Sequence, residues 1–564
     1  MRTSYPRTPH LPWSPGAAAD DVRAGDLAGL VGREVVVTEK LDGENTTLYA
    51  DGLHARSLDS AHHPSRAWVK GLQGRIAARV PAGWRVCGEN MYARHSIAYG
   101  DLESWFYGFS VWDDRDRCLD WDRTVAFLRR LGVPAPPVLW RGTFDERALR
   151  ALSRSLDTCR QEGYVVRTVE GFGYGEFARR VAKWVRPRHV TTDAHWMYAA
   201  VVENGLGPRA ALWDVRSGAA PDAEALAAAV GLPEGADARA ASEAAARLDG
   251  LGRSGDDRLA GVLAALLHRH PRARLAAGLV APLGMPLARR VGDLVGLYPG
   301  LQRPYPDEER RAGLLRLSYA ADLGLLHAVA GALADTAEAR EQVEWSALHA
   351  EEARPLEGLR EAFHDVNDPE AADRCVAQAR EAYALGRIAT VEEAIAATWR
   401  WRSGDFPRLV HLVGPSGSGK STFGRRLPGM GAGVAPGAYV SLDELRAARG
   451  SREDQRDNGA VLREGIDRLD TALAAGGTVV WDATSLNPHQ RSLVHAVAHR
   501  RDALVTHVVA LVDETELARR NAHRAHAVPA EVLAGQLRRF VPPYPGQAHR
   551  TWYVGASGTV EDEA

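Results

Sequence analysis

A glycine-rich loop late in the chain sets the local structure around it. Residues 414–421 read Gly-Pro-Ser-Gly-Ser-Gly-Lys-Ser, after the apolar run 408–413 and before a predicted helix at 420–427. Backbone N–H groups of such a loop surround a phosphate, its lysine reaches the β- and γ-phosphates, and its hydroxyl binds Mg²⁺. Apolar runs at 438–441, 478–481 and 503–512 alternate with helical segments. The sequence therefore predicts a parallel α/β sheet over residues 405–564.

The loop alone does not distinguish a motor, a GTPase and a kinase. Asp443-Glu444 comes too soon after the loop for the metal-binding carboxylates of a motor, and lies where small-acceptor kinases hold a general base. Arg446, one helical turn later, could hold an acceptor phosphate. Residues 520–524 are predicted to be helical, so Arg520 and Arg524 would point the same way and close over the donor phosphates as a lid.

These segments resemble the 5′-OH polynucleotide kinase domain of phage and bacterial RNA-repair enzymes, over about residues 405–550. The segments that carry the resemblance are Asp-Glu-Leu-Arg at 443–446, Asp-Ala-Thr-Ser-Leu-Asn-Pro at 482–488 and Arg-Asn-x-x-Arg-x-x-x-Val-Pro at 520–529. The resemblance implies that Asp443 is the base, that Arg446 binds substrate and that Arg520 and Arg524 form the lid, with Arg524 and Lys420 acting in catalysis. The nucleotide-binding residues predicted for this domain are Gly414, Gly417, Gly419, Lys420, Ser421, Thr422 and Arg520, with Ser421 also a metal ligand.

A second motif lies near the start of the chain, where residues 40–45 read Lys-Leu-Asp-Gly-Glu-Asn. A lysine can attack the α-phosphate of a nucleotide only as a neutral amine, and Gly43 would allow a tight turn close to the ligand. Lys-x-Asp-Gly occurs by chance in many proteins, so the prediction depends on additional motifs further along the chain. These segments are, in order, Arg56-Ser57, Gly88-Glu89-Asn90, Phe-Tyr-Gly-Phe-Ser-Val at 106–111, Glu-Gly-Tyr-Val-Val-Arg at 162–167 and Val-Ala-Lys-Trp-Val-Arg at 181–186.

This series resembles motifs I, Ia, III, IV and V of ATP-dependent RNA ligases, members of the covalent nucleotidyltransferase superfamily, over about residues 30–190. The resemblance implies that Lys40 takes AMP and that Glu162 binds the catalytic metal. Ser110 stands where many relatives carry Asp, which leaves open whether Phe106 or Phe109 stacks on adenine; Phe109 is preferred. The ATP-binding residues implied are Glu39, Asp42, Gly43, Arg56, Glu89, Phe109, Glu162 and Lys183.

Net charge, cysteine content and apolar stretches limit which partners, which metal sites and which cellular location the sequence allows. The net charge is -2, so a nucleic-acid enzyme with this sequence would bind phosphates through local arginine clusters, which are also typical of solvated helix faces. Four cysteines form no CxxC pair, which fits a reducing cytosol and argues against disulfides or a structural zinc site. The first residues lack the apolar core of a signal peptide, and the most apolar stretch, 275–288, is too short to cross a bilayer. We therefore expect a cytoplasmic protein without a membrane partner.

Residues 200–400 are rich in Ala, Leu, Arg and Glu and are predicted to be helical. Other members of the nucleotidyltransferase superfamily append a β-barrel at this point, so a helical region favours the RNA ligase branch. The adjacent pair His364-Asp365 invites a metallophosphatase interpretation, but no ordered set of partners accompanies it. The expected role of this region is a scaffold joining two catalytic modules.

The sequence thus predicts a multidomain α/β and α+β protein. Its expected parts are a nucleotidyltransferase (adenylyltransferase) ligase domain over 1–200, a helical linking domain over 201–404 and a phosphate-loop kinase domain over 405–564. The predicted function is RNA end healing and sealing, with ATP as cofactor (GTP left open at the kinase) and Mg²⁺ or Mn²⁺. The expected partner is RNA with 5′-OH or 5′-phosphate and 3′-OH ends, and a separate 3′-end phosphatase or phosphodiesterase would prepare other ends. Two alternatives stay open: a kinase whose first domain only senses nucleotide or RNA ends, and an RNA-stimulated ATPase motor.

Overall fold

The computed structural model describes residues 2–19, 21–58, 62–187, 200–304, 309–351, 353–427, 438–450, 458–524 and 526–564. The chain divides into two compact units, Met1–Val262 and Leu263–Ala564. The predicted fold class is confirmed, because a strand-rich first part is followed by a helical middle and then by a mostly parallel sheet. The boundary between the two units falls inside the helical region, and the domain boundaries at 200 and 404 stay predictions.

The first unit contains two antiparallel sheets. One has the strand order β10-β8-β1-β7 and the other the order β3-β2-β4-β5-β6-β9. The strands are β1 (Glu34–Lys40), β2 (Glu44–Tyr49), β3 (Gly52–Ala55), β4 (Arg85–Asn90), β5 (Phe106–Trp112), β6 (Arg117–Cys118), β7 (Val138–Thr143), β8 (Gly163–Thr168), β9 (Phe172–Gly173) and β10 (Val181–Val185).

Strand alternation decides which side chains of the first sheet face the candidate site. Val35 and Val37 of β1 pack in one apolar core with Trp184 of β10. Successive side chains of a strand point to opposite faces. Lys40 and Lys183, which are out of phase with those core residues, therefore line a cavity on the other face.

Helices lie between the strands in the sequence and continue into the middle of the chain. Asp222 and Asp237 begin two of these helices, because each side chain accepts a hydrogen bond from a backbone N–H in the first turn. The helices of this part are α1 (Ala67–Ile76), α2 (Trp121–Leu131), α3 (Glu146–Ser155), α4 (Phe177–Arg180), α5 (Ala210–Ser217), α6 (Ala223–Ala229), α7 (Ala238–Gly250) and α8 (Gly255–Leu266).

The second unit begins with further helices and ends in a six-stranded sheet of order β12-β13-β11-β14-β15-β16. Its pairs are parallel except for β15 with β16, which are antiparallel. The strands are β11 (Arg408–Val413), β12 (Tyr439–Ser441), β13 (Thr478–Asp482), β14 (Leu504–Ala510), β15 (Arg550–Val554) and β16 (Val560–Glu563). The helices are α9 (Arg272–Gly278), α10 (Val280–Leu283), α11 (Met285–Leu301), α12 (Arg310–Ala320), α13 (Leu323–Ala332), α14 (Ala337–His349), α15 (Pro369–Ala384), α16 (Val391–Ala397), α17 (Lys420–Arg426), α18 (Leu442–Ala448), α19 (Asn458–Ala474), α20 (Pro488–Arg500), α21 (Glu514–Ala522) and α22 (Ala530–Arg539).

One predicted helix is shorter than expected. α21 ends at Ala522, so Arg520 lies on the helix and Arg524 lies beyond it, and the prediction that both share one helix face is wrong. The reason is a local contact with the following loop: the Asn521 side chain donates to the Val528 carbonyl oxygen at 2.6 Å and accepts from the Val528 N–H at 3.0 Å. That pair of bonds turns the chain back before a further helical turn can form.

Within the part of the chain that the structure describes, no helix combines the length and the apolar character needed to cross a membrane.

Candidate active sites

A cavity of about 930 Å³ in the first unit is lined by strands of both sheets. Most of the residues predicted from the ligase-like motifs meet there, although they come from segments far apart in the sequence. The predicted residues that line the cavity are Glu39, Lys40, Gly43, Arg56, Glu89, Phe109 and Lys183. Asp42 and Glu162 are both buried; Asp42 accepts a hydrogen bond from the Ser96 N–H, and Glu162 accepts one from Lys40.

Lys40, at the end of β1, is the central cation of this cavity. Its Nζ donates to Glu162 Oε2 at 2.6 Å, and the side chains are 22% and 6% exposed. Burial lowers the pKa of Lys40, but the charges of Glu162 and Glu89 outweigh it and raise this pKa above its ordinary value. In the free protein Lys40 is therefore an ammonium group held by carboxylates, and it must lose a proton before it can act as a nucleophile.

The loop after Lys40 is fixed by backbone contacts. Asp42 is buried and accepts hydrogen bonds from the N–H groups of Ser96 and Ile97, each at 2.8 Å. Gly43 lies so close to β4 that an added Cβ would be 2.6 Å from the Asn90 carbonyl oxygen. Only glycine allows this approach without movement, so Asp42 and Gly43 together position Lys40 from the loop side.

Two further carboxylates lie near the loop. Burial raises the pKa of Glu89 to about 7, although Lys40 and the Gly43 N–H, which donates to Glu89 at 3.3 Å, oppose the shift. Burial also raises the pKa of Glu39, whose carboxylate accepts from Gln161 Nε2 at 3.0 Å. Glu89 therefore titrates near neutral pH close to Lys40.

The two candidate phenylalanines lie on opposite faces of β5. Phe106 is fully buried in the apolar core and would be struck by any side chain at position 88. Phe109 is only partly buried, lines the cavity and meets the ring edge of Tyr5 at 5.2 Å between centroids. Phe109 is therefore the aromatic ring of this pair that a planar ligand in the cavity could contact. The neighbouring Ser110 is buried and accepts from Trp112 Nε1 at 3.0 Å.

Lys183 of β10 provides a second cation. Burial lowers its pKa, and the positive charge of Lys40 acts in the same direction. Arg56 also lines the cavity and is exposed. The cavity thus combines cations suited to phosphates with carboxylates suited to a metal ion.

One buried ion pair of this cavity was missed by sequence reasoning. Arg66 Nε donates to Glu44 Oε2 at 2.8 Å, a second guanidinium nitrogen meets the other carboxylate oxygen, and both residues line the cavity. Glu44 comes directly after the Lys-x-Asp-Gly motif, so its position was a signal. Arg66 lies in a short turn before α1 without any motif around it, and only the fold shows that it pairs with Glu44.

The phosphate loop of the second unit joins β11 to α17 as predicted. Gly417 and Gly419 have φ angles of 85° and 87°, in the left-handed region that favours glycine. Lys420 is buried, and burial lowers its pKa, while Asp482 and Asp443 oppose that shift. The loop N–H of Ser416 donates to Gln536 of α22 at 2.8 Å, a contact that no sequence motif indicated.

The carboxylate nearest to the loop hydroxyl is Asp482, at the end of β13. Ser421 Oγ donates to one of its oxygens at 3.0 Å, and Tyr439 donates to the other at 2.9 Å. Although β12 comes after the loop in the chain, β13 lies next to β11 in the sheet. Asp482 directly follows the apolar run 478–481, but the sequence offered no reason to pair it with Ser421, because strand order is a tertiary property.

The predicted acceptor residues lie together on α18. Asp443 is exposed and forms an ion pair with Arg446, which also donates to Asn458 at 3.2 Å. Arg520 approaches the phosphate loop, since its guanidinium would be 3.7 Å from a Cβ at position 419, and it is held by Glu516 at 2.6 Å. Arg524 is exposed beyond the end of α21. The catalytic roles of these four residues stay predictions.

The isolated pair His364-Asp365 has ordinary local partners. His364 Nδ1 lies 2.7 Å from the Glu361 carbonyl oxygen, and Asp365 forms an ion pair with Arg402. Among the described residues this pair belongs to no group with metal-binding spacing.

Comparison with known proteins finds a family match in each of the two parts of the chain that hold these sites. Residues 33–185 match the family model described as RNA ligase, and residues 409–543 match the family model described as AAA domain. Curated protein sequences gave no significant match.

Solved structures of RNA ligases give distant matches. A Naegleria gruberi RNA ligase mutant with ATP and Mn is 17% identical, with 30% of this chain and 56% of that chain covered and a TM-score of 0.23. The Naegleria gruberi RNA ligase with PPi is 20% identical, with 30% and 55% covered and a TM-score of 0.23. An archaeal ATP-dependent RNA ligase is 14% identical, with 52% and 66% covered and a TM-score of 0.25. This chain spans about half the length of the Naegleria gruberi ligases that it matches.

The chain therefore carries a domain that matches the RNA ligase family in its N-terminal part and a phosphate-loop domain that matches the AAA domain family in its C-terminal part.

Proposed function

We propose that this chain heals and seals broken RNA, as an ATP-dependent RNA ligase that works through a lysyl-AMP intermediate and as a 5′-OH polynucleotide kinase. The observation that carries the proposal is Lys40, held 2.6 Å from Glu162 in a cavity of about 930 Å³ that also presents Glu89, Phe109 and Lys183. A cavity of this size is within the range that holds a nucleotide-sized ligand. The match to the RNA ligase family supports RNA as the substrate class.

Sealing would proceed in three transfers. Lys40 Nζ attacks the α-phosphorus of ATP, a phosphorus–nitrogen bond forms and pyrophosphate leaves. The AMP then passes to the 5′-phosphate of RNA, which breaks the phosphorus–nitrogen bond and frees the lysine. In the last transfer a 3′-OH attacks that 5′-phosphate, a phosphodiester bond forms and AMP leaves.

The first transfer requires a proton acceptor for Lys40. Glu162 touches the ammonium group directly, and Glu89 is near enough to raise its pKa. Since the pKa of Glu89 is about 7, that carboxylate can exchange protons near neutral pH. Lys183 stays available to neutralise phosphate charge, and Phe109 presents a ring on which the adenine can stack.

The kinase reaction would take place at the phosphate loop. A 5′-OH attacks the γ-phosphorus of the nucleotide, an oxygen–phosphorus bond forms, ADP leaves and the hydroxyl proton passes to Asp443. The positive charge of Lys420 would stabilise the negative charge on the transferred phosphate, and Arg520 lies close to the same loop. Arg446, next to Asp443, would hold the acceptor phosphate.

The donors at both sites fit a hard divalent cation. Ser421 Oγ with the Asp482 carboxylate, and the Glu162 and Glu89 carboxylates, offer the oxygen ligands that Mg²⁺ and Mn²⁺ prefer. When bound, such a cation supplies positive charge that offsets the phosphates and lowers the pKa of Lys40.

A double-label experiment tests the proposal. The full chain is incubated with Mg²⁺, RNA bearing 5′-OH and 3′-OH ends, and ATP labelled at either the α- or the γ-phosphate. We expect α-label on the protein, discharged by 5′-phosphate RNA, and γ-label that ends in an internal, phosphatase-resistant linkage. Transfer of γ-label without α-label on the protein would favour a first domain that only senses ends. Hydrolysis stimulated by long RNA, without transfer of either label, would favour a motor.

A further inference from the structure

Three histidines of the second unit meet next to the strand that leads into the phosphate loop. His411 lies on β11, His507 on β14 and His495 on α20. His411 and His507 are direct partners in the parallel register of β11 and β14, and both are fully buried. One side-chain nitrogen of each histidine lies within 4.8 Å of one nitrogen of each of the others. The fold thus brings together three imidazoles from two strands and a helix.

Hydrogen bonds within the protein engage only part of this cluster. His495 Nε2 and His507 Nε2 lie 2.8 Å apart, and His411 Nε2 lies 2.8 Å from Ser485 Oγ. His411 Nδ1 and His507 Nδ1 are buried and have no hydrogen-bond partner among the described residues. Buried polar atoms are normally satisfied, so two such nitrogens in one cluster point to a ligand.

The charge state of the cluster is suited to metal binding. Burial is the main cause that lowers the pKa of all three imidazoles below the ordinary value of histidine. Each ring is therefore neutral and carries a lone pair, as a metal ligand must. The Ser485 hydroxyl fixes the orientation of the His411 ring, which is the task of the groups that support metal ligands.

We propose that His411, His495 and His507 bind one Zn²⁺ that ties β11, β14 and α20 together. Imidazole nitrogen suits Zn²⁺, whereas Mg²⁺ prefers oxygen ligands. A tetrahedral zinc with Zn–N distances of about 2.0–2.1 Å separates its nitrogen ligands by about 3.3 Å. One nitrogen of each ring lies within 4.8 Å of one nitrogen of each of the other two, so the three rings are close enough to share one ion. The cysteine pattern argued against a zinc site, but here histidines alone supply the protein ligands.

An adjacent cavity would give the metal a route of entry and a fourth ligand. It has a volume of about 550 Å³ and is lined by His495, His507 and His549. His549 is itself engaged, since its Nδ1 accepts from the Val505 N–H at 2.8 Å and its Nε2 lies 3.2 Å from Gln378. Water from the cavity would therefore complete the coordination. Because β11 ends where the phosphate loop begins, the metal would stabilise the base of the kinase site without touching nucleotide.

Metal content of the full chain tests this proposal. The wild-type protein is loaded with Zn²⁺, dialysed against metal-free buffer and analysed by atomic emission. His495→Gln changes the least buried ligand, and His364→Gln, on an exposed histidine outside the cluster, is the matched control. We expect about one Zn²⁺ per chain in the wild type and the control, and at least a tenfold loss in His495→Gln. Zn²⁺ should also raise the thermal midpoint of the first two proteins but not of the third.

The wild type decides the matter even if the variant folds poorly. A folded wild-type chain that retains no Zn²⁺ after dialysis overturns the proposal, and so does His495→Gln that retains as much as the control. Substitution of Co²⁺ gives an independent readout, since cobalt held by three imidazoles and water shows the intense visible absorption of four-coordinate cobalt. A spectrum typical of six-coordinate aqueous cobalt would contradict the proposed ligand set.

Discussion

Replacement of Gly43 by alanine should disable sealing without removing any catalytic group. The new Cβ would lie 2.6 Å from the Asn90 carbonyl oxygen and 2.7 Å from Met91 Sδ, where ordinary contacts are 3.4 Å or more. Asn90 cannot yield easily, because it is buried and paired in β4 with both neighbouring strands. The loop must therefore move by about 0.8 Å, and a misplacement near 1 Å at a reacting group costs about 10²-fold in rate. Overpacking should also destabilise the first unit by about 1–3 kcal/mol.

The assay is the rate at which label from α-labelled ATP becomes attached to the protein. Gly100→Ala is the matched control, because an added Cβ there meets nothing within 4 Å and the backbone has no positive φ. We expect a loss of about 10²-fold in Gly43→Ala, a rate close to wild type in Gly100→Ala, and unchanged phosphorylation of 5′-OH RNA by both. A Gly43→Ala protein that labels itself within about threefold of wild type would show that close packing of the loop against β4 does not position Lys40.

The remaining predictions concern the kinase site, the pH dependence and the accepted ends. Lys420→Ala and Asp443→Ala should each lose phosphorylation of 5′-OH RNA, by about 10²–10⁴-fold for Asp443→Ala, which lacks the base. Both variants should still seal RNA that already carries a 5′-phosphate. Phosphorylation at the wild-type rate by Asp443→Ala would show that Asp443 is not the base. Glu89→Gln removes a charge that raises the pKa of Lys40, so the pH midpoint of adduct formation should move down. Glu89 carries its negative charge only above its own pKa of about 7, so the variant and the wild type should differ only above that pH. A midpoint that stays or rises would contradict the claim that the charge of Glu89 raises the pKa of Lys40. The chain should join 5′-OH to 3′-OH ends but stall at a 2′,3′-cyclic phosphate until a separate healing enzyme is added; efficient joining by the chain alone would reveal a further active site.

Much of the ligase-like cavity could be predicted because its motifs lie on strands. Once β1 is known to bury Val35 and Val37, alternation sends Lys40 to the opposite face. The same rule could not choose between Phe106 and Phe109. Residues three apart on a strand face opposite ways, and the sequence does not say which face of β5 is the core.

The parts that sequence reasoning missed depend on side-chain contacts between residues that are 7 to 61 positions apart in the chain. The ion pair of Arg66 with Glu44 exists only after β2 and the turn before α1 have packed. Asp482 reaches Ser421 because β13, not β12, is the spatial neighbour of β11. α21 ends early because Asn521 bonds to a residue beyond the helix. None of these contacts has a local pattern from which it could be inferred.

The most direct test of the central claim is the protein–AMP adduct itself. Wild type, Lys40→Ala and Lys70→Ala are each incubated with Mg²⁺ and α-labelled ATP, separated under denaturing conditions and, in parallel, assayed in native form for phosphorylation of 5′-OH RNA. Lys70 lies on α1 and is exposed, so its variant controls for the loss of any lysine from this unit. We predict an adduct in wild type and Lys70→Ala, none in Lys40→Ala, and full kinase activity in all three. An adduct that persists in Lys40→Ala, or a wild type that forms none, would contradict the assignment of Lys40 as the nucleophile of an RNA ligase.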